Sequence, residues 1–117
     1  MKNSSLADLK LQLQKFARDR DWDQFHSPKN LAMALAGETG ELLEHFQWLS
    51  EEQSVNLTDE KINEVGEEIA DIFIYLIRLS DKLNLDPLEA AYNKMKKNEL
   101  KYPAEKVKGS PKKYTEY

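Results

Sequence analysis

Glu68-Ile-Ala-Asp-Ile-Phe-Ile-Tyr-Leu-Ile-Arg-Leu79 is the stretch that decides the fold. Its centre, from Ile69 to Leu79, is apolar nearly all round, the pattern of a helix buried on most sides. Asp71 interrupts it, and an aspartate in such surroundings needs a cation, a hydrogen-bond network or a metal as partner. Glu68 and Asp71 stand three residues apart, on one helix face. Upstream, Glu38-Thr-Gly-Glu41 repeats that spacing. Two such helices facing each other pool four carboxylates, which repel unless a cation lies between them. The other reading is two unrelated solvated faces.

Working outward, four helices are expected. Ser5 and Asp8 open the first, over residues 5–20, with Leu6, Leu9, Leu13, Phe16 and Ala17 as its apolar stripe. Arg18 to His26 reads as a polar loop carrying Trp22 and Phe25, which either cover the core or form a stacking surface. Ser27-Pro28 starts the second helix, expected to run to about Ser50. One stripe of it carries Asn30, Ala34, Glu38, Glu41, His45 and Trp48. Gly37 and Gly40 lie inside it, each costing about 1 kcal/mol relative to alanine. They imply either a close approach to the backbone or tight helix packing. Residues 51–57 read as a polar connection. Thr58 caps the third helix, to about Leu83, with Glu64, Glu68, Asp71 and Tyr75 on one stripe. Asn84 ends it in a left-handed conformation. Asp86-Pro-Leu-Glu89 opens the fourth, over 87–101, and Tyr102-Pro103 closes it. No strand signal or internal repeat is present, so the expected fold class is all-α. Residues 1–103 are expected to form one domain and 104–117 a lysine-rich tail, either solvated or closing over an anionic ligand.

Composition narrows the function. The chain has 117 residues, a net charge of −4 and no cysteine. The acidic balance argues against a general nucleic-acid binder, and no cysteine means no thiolate site. With two histidines, a histidine-rich zinc or iron site is disfavoured. Glu-x-x-His, the di-iron bundle spacing, is absent around His45. No apolar run is long enough for a membrane or a signal core, so a soluble, cytoplasmic protein is expected. An all-oxygen ligand set suits Mg²⁺ or Mn²⁺. Mg²⁺ commonly recruits substrate phosphates, which points to phosphate chemistry. Lysines and an asparagine of the fourth helix and tail are placed to hold outer phosphates. Trp22, His26, Trp48 and Tyr75 are candidates to hold a base.

These residues match a larger pattern. Glu38-x-x-Glu41 followed by Glu68-x-x-Asp71 resembles the signature of the MazG-like superfamily of all-α nucleoside triphosphate pyrophosphohydrolases. Arg20-Asp-Trp-Asp-Gln-Phe-His26, Gly37-Glu-x-Gly-Glu-Leu42, Phe46-Gln-Trp48, Lys94-Met95, Tyr102-Pro103 and Lys113-Tyr-Thr-Glu116 resemble its dCTP pyrophosphatase type. The resemblance runs from about residue 16 to the C-terminus. It implies a four-helix MazG-like bundle assembling into a homodimer or homotetramer with sites at subunit interfaces. It implies that Glu38, Glu41, Glu68 and Asp71 bind Mg²⁺, with Glu38 or Glu41 as general base. It places Trp22, His26, Asn30, Trp48 and Tyr75 around the nucleoside, and Lys94, Asn98, Lys112 and Lys113 near the phosphates. The implied reaction converts a deoxynucleoside triphosphate to the monophosphate and pyrophosphate. A relative acting on dUTP or phosphoribosyl-ATP, and a helical regulatory module without catalysis, are the alternatives.

Overall fold

A computed structural model describes residues 5–110. The described residues contain helices and turns and no strand. In chain order the helices are α1 (Leu6–Asp19), α2 (Pro28–Glu44), α3 (Glu51–Ser54), α4 (Asp59–Lys82), α5 (Pro87–Lys101) and α6 (Ala104–Val107), with a 3₁₀ turn at Asp23–Phe25. The chain divides after Asn84 into two compact units.

The helix starts follow from local chemistry. The side chains of Ser5, Ser27 and Thr58 accept the backbone N–H groups of Asp8, Asn30 and Lys61. Pro28 and Pro87 occupy first-turn positions where their missing N–H costs nothing. Asn84 takes the left-handed conformation expected of it, φ 56°.

Two segments differ from expectation. The second helix stops at Glu44 instead of continuing to Ser50. The reason is a capping box: the Ser50 side chain accepts the Gln53 N–H, and the Gln53 side chain accepts the Ser50 N–H. Ser50 is extended (ψ 165°), so a new one-turn helix begins where a polar connection was expected. The expected tail is also structured in part, with one helical turn at α6. Lys112 and Lys113 lie outside the described residues.

In the first unit, α2 packs along α4, and α1 packs on α4 more lightly. Among the described residues the buried apolar side chains are few: Ala17, Leu31, Val65 and Ile77. α4 is less buried than its sequence suggests. Ile62, Ile69, Phe73 and Leu76, spaced seven, four and three apart, form an exposed apolar stripe along it.

A Cβ placed on Gly37, Gly40 or Gly66 would meet nothing within 4 Å among the described residues. Among the described residues neither a close approach nor tight packing accounts for the two glycines of α2. Gly66 sits in the exposed interior of α4, so Gly66→Ala should stabilise by about 1 kcal/mol, raising the melting temperature by about 4 °C. Calorimetry checks this; a lower melting temperature would mean that a neighbour outside this chain occupies the space.

In the second unit α5 starts at Asp86, whose side chain accepts the Leu88 and Glu89 N–H groups. Lys94 and Asn98 stand one helical turn apart on it, both exposed.

Candidate active site

Glu38 and Glu41 come from one face of α2, and Glu68 from the α4 face packed against it. One carboxylate oxygen from each lies within 4.8 Å of the others. Among the described residues, the buried Oε2 atoms of Glu38 and Glu68 have no hydrogen-bond partner. Unpaired buried acceptors are costly, and three carboxylates so close repel one another. Both costs fall when a small hard cation binds, and the all-oxygen donor set fits one.

The same crowding shifts the acids in the metal-free protein. The Glu68 carboxyl beside it, then burial and Glu41, push the Glu38 pKa up to about 7. The neighbouring Glu38 carboxyl acts to lower the Glu68 pKa. Burial and the charges of Glu41 and Asp71 outweigh this, and its pKa also rises.

Asp71 is placed differently from the expectation. It is exposed in the single chain and stands outside the three-carboxylate group. The buried acidic atoms belong to Glu38 and Glu68. Asp71 nevertheless shares a cavity wall with Glu38 and raises its pKa. Glu64, on the same stripe, is paired with Lys61 at 3.3 Å.

That cavity, about 160 Å³, leads from the carboxylates to an aromatic wall. Trp22, His26 and Tyr75 line it, and Phe16 and Arg78 join them. Its size admits part of a ligand, such as one flat ring, rather than a whole nucleotide. A ring held there leaves any attached phosphates to lie over the carboxylates.

The α1 terminus aims Trp22 at the cavity. Asp21 adopts φ 54°, the Asp21 N–H bonds to the Arg18 carbonyl, and the Trp22 N–H bonds to the Ala17 carbonyl. This is a Schellman ending with aspartate where glycine is usual. Phe16 meets Trp22 edge-on at 5.7 Å, with the Arg20 guanidinium over its outer face. Asn30 acts at a distance: its side-chain amide donates to the Phe25 carbonyl and holds the 3₁₀ turn beside His26.

Arg78 is the residue the sequence reading passed over. It is 4% exposed and donates to Asp23 Oδ1 at 2.7 Å. Lys82 reaches the same oxygen at 3.1 Å. Lys82 and then Arg78 hold the Asp23 carboxyl below its usual range. A signal was available: the charges in Ile69–Leu79 are Asp71 and Arg78, seven residues and so two turns apart on one face.

Trp48 is not brought to this cavity. The early end of α2 leaves it in the following turn, 86% exposed.

The site's likeness to known proteins is extensive. The MazG-like family model matches residues 34–117. Over 114 residues, 96% of this chain, the sequence is 39% identical to dCTP pyrophosphatase 1 of Homo sapiens and of Mus musculus, covering 67% of each. The Bos taurus protein of that name is 40% identical over the same length, 68% of it covered. Among solved structures, a pyrophosphatase from Archaeoglobus fulgidus superposes with a TM-score of 0.81 at 41% identity, covering 88% of this chain and 96% of that one. With a family match over most of its length and relatives near 40% identity, this chain belongs to the MazG-like family.

Proposed function

We propose that the chain hydrolyses the α–β phosphate bond of a deoxynucleoside triphosphate, dCTP or a close relative, and so clears unwanted nucleotides. Its relatives support the enzyme class: the chain is a nucleoside triphosphate pyrophosphohydrolase. The observation that carries the site assignment is the pair of buried oxygens on Glu38 and Glu68 that lack a partner among the described residues, with Glu38 also lining the aromatic cavity.

Glu38, Glu41 and Glu68 would hold Mg²⁺, or Mn²⁺, with Asp71 completing the site from the cavity wall. The cation would supply charge to offset the phosphates and acidify water. Glu38 or Glu41 takes the proton from the attacking water. Water attacks the α-phosphorus, its bond to the bridging oxygen breaks, and pyrophosphate leaves. Trp22 and Tyr75 stack on the base, His26 bonds its edge, and Asn30 fixes the turn that presents His26.

The remaining assignments rest on the family. Lys94, Asn98, Lys112 and Lys113 contact phosphates, and Trp48 serves the nucleoside from a site completed by another subunit. Residues 1–103 form the catalytic domain and 104–117 close over the substrate. The apolar stripe of α4 supports a homodimer or homotetramer. Sedimentation should show a species at least twice the chain mass; a monomer at high concentration removes that assignment. No helix among the described residues is long and apolar enough to cross a membrane. A cytoplasmic location is proposed with this.

The deciding experiment is a panel of deoxy- and ribonucleoside triphosphates, with dUTP and phosphoribosyl-ATP, run with and without chelator. Pyrophosphate and dCMP should form from dCTP and cease on chelation. No pyrophosphate from any nucleotide would favour a non-catalytic helical module. Removal of residues 106–117 should raise KM severalfold with the protein still folded; unchanged KM and kcat would make the tail a bystander.

A further inference from the structure

The chemistry of one contact at the cavity goes beyond metal and stacking. Arg78 Nη2 lies 2.7 Å from Asp23 Oδ1 and 3.2 Å from His26 Nδ1. Nη1 approaches Asp81 at 3.6 Å. Asp81 in turn accepts from Gln14 at 2.7 Å, tying this cluster to α1. Arg78 is 4% exposed, and its Nε has no partner among the described residues. The guanidinium is therefore held by two helices and the 3₁₀ turn, and it forms part of the cavity lining.

A guanidinium donates only; it has no acceptor and keeps its proton in proteins. Its two N–H bonds at Nη2 match the two neighbours, one for Asp23 and one for His26. The contact with His26 then requires a lone pair on Nδ1. The Nδ1–H tautomer and the imidazolium would both set N–H against N–H. The ring proton is left on Nε2, and His26 lines the cavity.

We propose that Arg78 is a positioning residue for base selection, holding His26 as the neutral Nε2–H tautomer so that the cavity offers the base a fixed donor. This rests on the nucleotide reading above. The groups around the ring agree with it. Burial, then Arg78, hold the His26 pKa below its usual range, Asp23 opposes them, and Lys82 adds to the lowering. A fixed donor recognises a lone pair on the base edge, a ring nitrogen or carbonyl oxygen. A base with an N–H at that point meets donor against donor, as cytosine and uracil differ at N3. A site with a paired buried donor discriminates strongly between such bases, because the mismatch leaves both groups unbonded.

The test has a spectroscopic arm and a kinetic arm. Long-range ¹H–¹⁵N spectra of the ligand-free wild-type chain at pH 7 should show His26 protonated at Nε2 alone. An Nδ1–H ring, a tautomer mixture or an imidazolium overturns the proposal without any variant. Arg78→Met keeps much of the stem and removes the donors. It should give a mixed His26 tautomer, a KM for dCTP about tenfold higher with kcat changed less than about threefold, and a dCTP-over-dUTP preference falling toward one. Arg78→Lys retains a donor and should restore part of the preference. Unchanged base preference in a folded Arg78→Met protein overturns the proposal. If that variant does not fold, the wild-type spectrum and the lysine variant decide. Absence of pyrophosphate from every nucleotide defeats the nucleotide reading instead, and the His26 spectrum remains a separate result.

Discussion

Replacing Glu38 by glutamine should lower metal-dependent pyrophosphate release by roughly a hundredfold or more, and should raise the melting temperature of the metal-free protein at pH 8. The first effect follows from position. Glu38 belongs to the three-carboxylate group and to the cavity wall, so one side chain serves cation and substrate pocket together. Losing a group that merely orients a metal ligand costs about 10–100-fold, and losing a ligand should cost at least as much. The second effect has the opposite sign because Glu38 is strained by its neighbours. Its folded pKa of about 7 lies above the ordinary 4.5. Below pH 4.5 the side chain is protonated whether folded or not, and the variant gains nothing from losing the charge. As pH rises toward 7 the unfolded chain ionises first, and the folded state becomes relatively less stable. Above pH 7 the effect is complete. Glutamine carries no charge and donates to the Glu68 carboxylate, so the melting-temperature gap should open between pH 4.5 and 7 and then level off. Thermal scans with chelator at pH 5 and pH 8 check it. A wild-type rate, or a lower melting temperature at pH 8, would remove Glu38 from the site.

This opposition of activity and stability was only half legible in the sequence. Helix starts were legible because caps act within four residues: Ser5, Ser27-Pro28, Thr58 and Asp86-Pro87 all cap as read. The 45–57 segment departs from expectation for the same local reason: the Ser50–Gln53 box starts a new helical turn, and Trp48 lies beyond the end of α2. The i, i+3 spacing correctly put each acidic pair on a helix face. Spacing gives an angle around the axis but no depth. It could not say that Glu38 and Glu68 have buried oxygens while Asp71 is exposed. Burial depends on what packs across the face, and α4 has one face on α2 and another, Ile62 to Leu76, uncovered in this chain. Arg78 was hidden by its apolar neighbours, although its two-turn separation from Asp71 put it on the cavity side.

Asp71→Asn should reduce Mg²⁺-dependent turnover by roughly a hundredfold or more, while moving the melting temperature by less than about 2 °C. The small stability effect follows from exposure: substitutions at such positions usually change stability by within about 0.5 kcal/mol. The activity loss follows from charge. Asp71 stands on the wall it shares with Glu38, and its field already reaches Glu38 in the free protein. Removing that field should also lower the Glu38 pKa, so the variant binds Mg²⁺ less tightly but with its pH midpoint shifted down. If Asp71 and Glu38 serve one cation, the double variant should be little slower than either single one, because groups acting as a unit are not additive. If the two losses multiply instead, Asp71 acts on the substrate separately from the metal. Full activity in Asp71→Asn would reduce the centre to Glu38, Glu41 and Glu68, the three residues whose oxygens already lie together.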